Sequence, residues 1–163
     1  SCYMLHINII CIGKLKEQYL KDALNEYSKR LYKYCSLKII ELPDEKVPEN
    51  LNANIINKIK QIESNNILSH IKNNSYTIAL DLHGKQLSSE EFSLKIENIA
   101  LNNNSNINFI IGGTLGLSDK LLKQATELIS FSKMTFPHQL IRIFLLEQIF
   151  RAFKILSNEK YHH

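Results

Sequence analysis

Strand-like and helix-like patterns alternate along the chain. Residues 7–12 form a mostly apolar run rich in β-branched side chains, closed by Gly13, which predicts a buried strand. Across residues 15–34 the apolar positions Tyr19, Leu20, Ala23, Leu24, Tyr27, Leu31 and Tyr34 recur every three or four residues, the spacing of one helix face. Residues 37–42 read as a second strand stopped by Pro43. Residues 43–50, with two prolines and four charges, read as a loop. Ile55, Ile59, Ile62 and Ile71 mark a second helix of softer pattern, and residues 76–82 a third strand. Ser88 and Glu91 stand at capping-box spacing for a third helix. Residues 107–111 predict a fourth strand bounded by Gly112 and Gly113. Ser118 and Asp119 open a short helix, residues 128–130 suit a short fifth strand, and Pro137 suits the first turn of a last helix reaching about Leu156.

Strands separated by helices predict an α/β fold with a mostly parallel sheet flanked by helices. There is no internal repeat and no long linker, so residues 1–163 are read as one domain. Ser1–Tyr3 precede a candidate initiator, Met4, and residues 1–4 are set apart as a stretch with added sequence at its start. The last helix is unusual. Leu140, Ile143, Phe144, Leu145, Ile149, Phe150 and Phe153 point in nearly every direction around its axis, where a surface helix shows one stripe. Cover from the sheet on one side and from a second copy of the chain on the other accounts for this. A wholly buried central helix is the competing reading.

Composition narrows the classes. Apolar residues at 44% and charged residues at 22% of the chain suit a folded domain. No apolar run approaches the roughly 20 residues that span a bilayer, and no export signal is visible, so a cytoplasmic protein is expected. The cysteines, Cys2, Cys11 and Cys35, are odd in number and unpaired in spacing, and the histidines show no ligand spacing. Neither a disulfide scaffold nor a metal site is expected. A formal net charge of +4 is only mildly basic and by itself says little about nucleic acid.

Three segments carry candidate chemistry. Ile-Ile-Gly-Gly-Thr-Leu-Gly-Leu, residues 110–117, follows a strand and precedes a helix, where α/β proteins bind ligands. It is neither a dinucleotide fingerprint nor a P-loop, and such turns commonly serve structure alone. Phe-Ser-Lys-Met-Thr-Phe-Pro-His-Gln, residues 131–139, joins apolar side chains, hydroxyls and a helix start, and can hold a planar base between apolar walls. An ordinary strand-to-helix loop looks much the same. Beyond Phe131 stand five Lys or Arg against two Glu. Arg142, Arg151, Lys154, Tyr161 and His162 are the candidates there for phosphate grip and base stacking; a solvated helix face is the plainer account.

Taken together, the IGG-x-x-GL turn, the loop ending Pro-His-Gln, the helix with Leu-Ile-Arg and Glu-Gln-Ile-Phe-Arg-Ala, the C-terminal Tyr-His, the opening Ile-Gly-Lys-Leu-Lys and the Leu-Pro-Asp-Glu-Lys segment resemble the bacterial ribosomal large subunit pseudouridine methyltransferase H family. The resemblance runs from about Leu5 to His162. It implies a SPOUT-class methyltransferase whose C-terminal segment forms a deep trefoil knot, and a homodimer. It also implies S-adenosylmethionine as cofactor and methylation of N3 of a pseudouridine in helix 69 of 23S rRNA within the ribosome. Carried across by position, it implies a cofactor site of Leu80, Gly112, Phe131, Ser132, Lys133, Met134, Thr135 and Phe136. Lys133 and Met134 fill a variable part of that loop.

N3 of pseudouridine carries a weakly acidic imide proton, so a base helps it attack. His138 is the candidate, because a helix N-terminus disfavours its positive charge; a structural role is the alternative. Two other functions fit the same sequence: a ribosome- or RNA-binding factor without catalysis, and a methyltransferase acting on transfer RNA.

Overall fold

The computed structural model describes residues 4–102 and 104–162, with side chains described through residue 158. Ten elements alternate: β1 (Leu5–Ile12), α1 (Gln18–Leu31), β2 (Cys35–Leu42), α2 (Ala53–Leu68), β3 (Tyr76–Gln86), α3 (Ser89–Leu101), β4 (Asn106–Ile111), α4 (Asp119–Gln124), β5 (Glu127–Ser130) and α5 (His138–His162). The five strands form one sheet in the order β2-β1-β4-β3-β5. Every pairing is parallel, as the alternation of elements requires.

Local chemistry explains the boundaries. Ser88 accepts the backbone N–H of Glu91 while the Glu91 carboxylate accepts that of Ser88, closing the capping box. Ser118 caps α4 and Asn52 caps α2, each by accepting a backbone N–H of the first turn.

Two apolar layers cover the sheet. On one face Ile7, Ile9, Ile107 and Phe109 pack against Leu31 of α1, Phe92 and Ile96 of α3, and Leu145, Ile149 and Ala152 of α5. On the other, Ile10, Ile12, Ala79 and Ile110 pack against Ile67 of α2 and Leu121 of α4. The apolar circumference of α5 is largely covered within one chain. Leu145, Leu146, Ile149 and Ala152 are buried against the sheet side. Phe150 meets Tyr27 of α1 at 6.5 Å, and Phe153 stacks on Tyr34 at 5.4 Å. Phe144 remains 41% exposed.

β3 is longer than its apolar run suggests. Leu80 and Lys85 both stand opposite Ile129 of β5, so residues 81–84 arch out of register. The Asp81 carboxylate accepts the backbone N–H of His83 at 3.0 Å and sets the arch. At its far side Gly84 lies against the main chain of β5. A Cβ there would sit 2.6 Å from the backbone N and C of Ile129.

Candidate cofactor cleft

The carboxyl ends of β4, β3 and β5 open into a cleft of about 820 Å³, within the size range of small-molecule sites. It occupies the crevice that an open parallel sheet offers its ligands. Three segments that are distant in sequence build it: the arch after Leu80, the glycine turn 112–116, and the loop between β5 and α5.

Leu80, Gly112, Phe131, Ser132, Met134, Thr135 and Phe136 all line this cleft. Lys133 is exposed and stands outside the lining. The loop is shaped by its hydroxyls. The Ser130 hydroxyl donates to the Ser132 carbonyl at 2.9 Å, and the Ser132 hydroxyl accepts the Met134 N–H at 2.9 Å. Gly116 has φ +88°, with open space where a Cβ would be, so its backbone conformation alone selects glycine. From below, α2 fixes the turn. Ser64 accepts the N–H of Ser118 at 2.9 Å. The buried Glu63 carboxylate packs beside Gly113 and accepts the N–H of Glu45 at 2.9 Å. Burial pushes the Glu63 carboxyl above its ordinary range, and the nearby Asp44 and Glu45 charges add to the shift.

His138 stands at the mouth of the cleft, half-buried on the first turn of α5. Burial and the neighbouring Arg142 hold its imidazole below the ordinary value of 6.5, against a weaker opposing pull from Asp44. The ring is therefore neutral at neutral pH and able to accept a proton. No thiol competes for that role among the described residues. Burial pushes Cys11 up to about 11 and Cys35 to about 12.

Arg142 is not at the surface, and this placement corrects the expectation that it presents a guanidinium to RNA. Its side chain is 1% exposed. Nη1 donates to Glu41 at 2.8 Å, and Nη2 to the carbonyls of Ile12 at 3.0 Å and Gly13 at 2.8 Å. Only Nε lacks a partner. Glu41 also accepts the N–H of Leu15 at 2.8 Å. Arg142 thus ties the start of α5 to the ends of β1 and β2, and so fixes the helix that carries His138. Arg151 and Lys154 are exposed further along α5, with Arg151 paired to Glu147 at 3.2 Å. The side chains of Tyr161 and His162 lie outside the described residues.

Sequence patterns did not single out Lys60, Asp81 or His83, and read Asp119 only as a helix start; these are the charged and titratable side chains that join His138 around the cleft. Asp81 and His83 sit beside the end of the predicted third strand, where ligand contacts concentrate. Lys60 on α2 carried no such signal. Among the described residues, no group of three or more His, Cys, Asp or Glu side chains stands close enough to hold a metal ion. No helix among them is long and apolar enough to cross a membrane.

The family model described as a predicted SPOUT methyltransferase matches residues 5–162. The chain belongs to the SPOUT methyltransferase family. Ribosomal RNA large subunit methyltransferase H from Clostridium botulinum (strain 657 / Type Ba4) is 59% identical over 158 residues, covering 97% of this chain and 99% of that protein. Ribosomal RNA large subunit methyltransferase H 1 from Clostridium perfringens (strain SM101 / Type A) is 56% identical over the same shares. Among solved structures, a probable methylase family protein from Haemophilus influenzae Rd KW20 aligns with a TM-score of 0.53 at 12% identity, over 94% of this chain and 69% of that one. That likeness speaks to the fold alone. In this SPOUT methyltransferase the segments anticipated for the cofactor are the ones that meet at the sheet's carboxyl end.

Proposed function

We propose that this chain transfers a methyl group from S-adenosylmethionine to N3 of a pseudouridine in helix 69 of 23S rRNA, on the assembled ribosome in the cytoplasm. The observation that carries the reading is the meeting of Leu80, Gly112 and residues 131–136 in one cleft, in a chain 59% identical to proteins named ribosomal RNA large subunit methyltransferase H. The cleft suits the cofactor. Leu80, Phe131 and Ile141 give apolar walls for a planar base, and the loop backbone offers it hydrogen bonds. Lys60, Asp81 and Asp119 offer charges of both signs to an amino-acid tail. When bound, S-adenosylmethionine supplies a methyl group on a positively charged sulfur, open to in-line attack.

The residues of the chain do the rest. His138 accepts the N3 proton as the nitrogen attacks, and Arg142 holds the helix that presents it. With His138 as the base, kcat/KM is expected to stay level as pH falls through 6.5 and to drop only below it, because the folded imidazole titrates lower than usual. His138→Gln is expected to lose about a hundredfold in turnover and with it that acid limb. An unchanged limb in the variant assigns the proton to another group.

The working unit is proposed as a homodimer, with the C-terminal segment tied in a deep trefoil knot. The close passage of Gly84 over Ile129 supports a threaded chain. Apolar side chains around the cleft mouth support the dimer: Leu82 is 53%, Met134 72% and Phe144 41% exposed, and Phe136 meets Phe144 edge to face at 5.7 Å. Along the 25 residues of α5 the chain travels roughly 36 Å, so Tyr161 and His162 lie far from their own cleft. They reach a cleft by serving the partner's.

Labelled methyl from S-adenosylmethionine is expected on a helix 69 pseudouridine in ribosomes lacking that methyl group, and not on free 23S rRNA or transfer RNA. In the same assay, tail-deleted chains mixed with His138→Gln chains are expected to regain activity. Label on transfer RNA alone sinks the substrate assignment, and no label on any RNA by a folded protein leaves a binding factor.

A further inference from the structure

We propose that the surface shared by the end of α1, the start of β2 and the second half of α5 is a second RNA contact, gripping phosphates of a folded substrate at the opposite end of the sheet from the cleft of the same chain. The inference rests on the reading that the substrate is RNA.

Four cations surround one aromatic ledge. The Arg30 guanidinium lies 5.1 Å from the Tyr27 ring centre and 5.8 Å from that of Phe150. Lys33 Nζ lies 5.3 Å from the ring centre of Tyr34, and Tyr34 stacks in turn on Phe153 at 5.4 Å. Arg151 and Lys154 stand exposed on α5 beside these phenylalanines. Rings under a cation hold it in place without neutralising it. The carboxylates nearby are Glu26 and Glu147, each paired with an arginine four residues on at 3.2 Å. The two arginines are 45% and 55% exposed, so both pairs are solvated and exchange readily for a phosphate.

Beside the ledge lies a hollow of about 640 Å³ lined in part by Ser28, Tyr32, Lys33 and Ser36. Tyr32 is 81% exposed. An open ring next to a lysine and two hydroxyls matches a nucleotide: a base to stack, a ribose to hydrogen-bond and a phosphate to pair. Arg151 lies thirteen residues beyond His138 on α5, roughly 20 Å along the axis. The hollow lies at the amino end of β2, the opposite end of the sheet from the cleft. A substrate seated in the chain's own cleft must therefore extend past it to touch this surface.

The test compares the parent with a variant carrying Arg30→Gln, Lys33→Gln, Arg151→Gln and Lys154→Gln. It measures binding to purified large ribosomal subunits across a salt series, methyl transfer to ribosomes, S-adenosylmethionine affinity and mass by sedimentation. Affinity for subunits is expected to fall at least about tenfold, and the slope of log affinity against log salt to shrink by about three. Cofactor affinity and mass stay unchanged. Equal affinity and equal slope in the two proteins overturn the proposal. A variant that weakens only while dropping to half the parent's mass overturns it too, by assigning the face to a second copy. A parent that methylates no RNA, yet binds subunits with a slope the variant loses, fails the proposed activity and leaves this surface in place.

Discussion

Gly84→Ala is expected to abolish folding or to cost more than about 4 kcal/mol, a loss that few single substitutions produce. The added methyl has nowhere to go. It meets the N and C atoms of Ile129 at 2.6 Å and the carbonyl carbon of Leu128 at 2.7 Å, and main chain cannot swing aside as a flexible side chain can. Separating the two segments would break the pairing of β3 with β5, which also forms a wall of the cleft. Gly116→Ala is the internal comparison. Gly116 has φ +88° but free space around a Cβ, so its penalty is conformational only, about 1–2 kcal/mol. Urea unfolding of both variants against the parent decides the matter. A Gly84→Ala protein no weaker than Gly116→Ala would mean that β3 and β5 part easily, and the tight crossing would lose its role.

Arg142→Met is expected to cost about 3 kcal/mol, through hydrogen bonds lost to a charged donor and carbonyls left bare. For a chain of this size that is about 6–12 °C in Tm. Glu41 is 34% exposed and can turn to water, so the loss stays below that of a fully buried pair. Arg142→Lys keeps the charge but cannot reproduce a planar fork that serves Glu41, Ile12 and Gly13 together; about half the loss is expected. The variants should also loosen the start of α5 and weaken cofactor binding about tenfold, because Phe136 and His138 sit on the segment that Arg142 anchors. Melting curves and cofactor titrations measure both effects. A stable Arg142→Met protein with parental cofactor affinity would refute the anchoring role.

Much of this fold is legible residue by residue. The run at Ile7–Ile12, the capping box of Ser88 and Glu91 and the Ser118 cap each follow from local chemistry, and the alternation of elements leads to a parallel sheet. The segments that line the cleft are legible as strand ends. What stayed hidden depends on contacts between distant segments. The arch at residues 81–84 takes β3 out of register where Gly84 lies against the main chain of Ile129, and no spacing rule encodes that. Arg142 reads as a surface cation by type, yet carbonyls 129 and 130 residues away satisfy it in the interior. The encircling apolar pattern of α5 points to several packing partners without naming them. α1 and α3 supply most of the cover from within the chain.

The same long reach governs how the protein comes into being. β1 pairs with β4, Asn8 bonds Asn108 across 100 positions, and Arg142 closes on Ile12 across 130. Contact order is therefore high, and local segments gain little until remote ones arrive, which makes for slow folding. The cleft draws on residues from Lys60 to Ile141 and is braced by Ile12 and Glu41. A fragment that begins after Lys60 or ends before Ile141 lacks part of the cleft lining, and activity is expected only from a chain folded through almost its whole length.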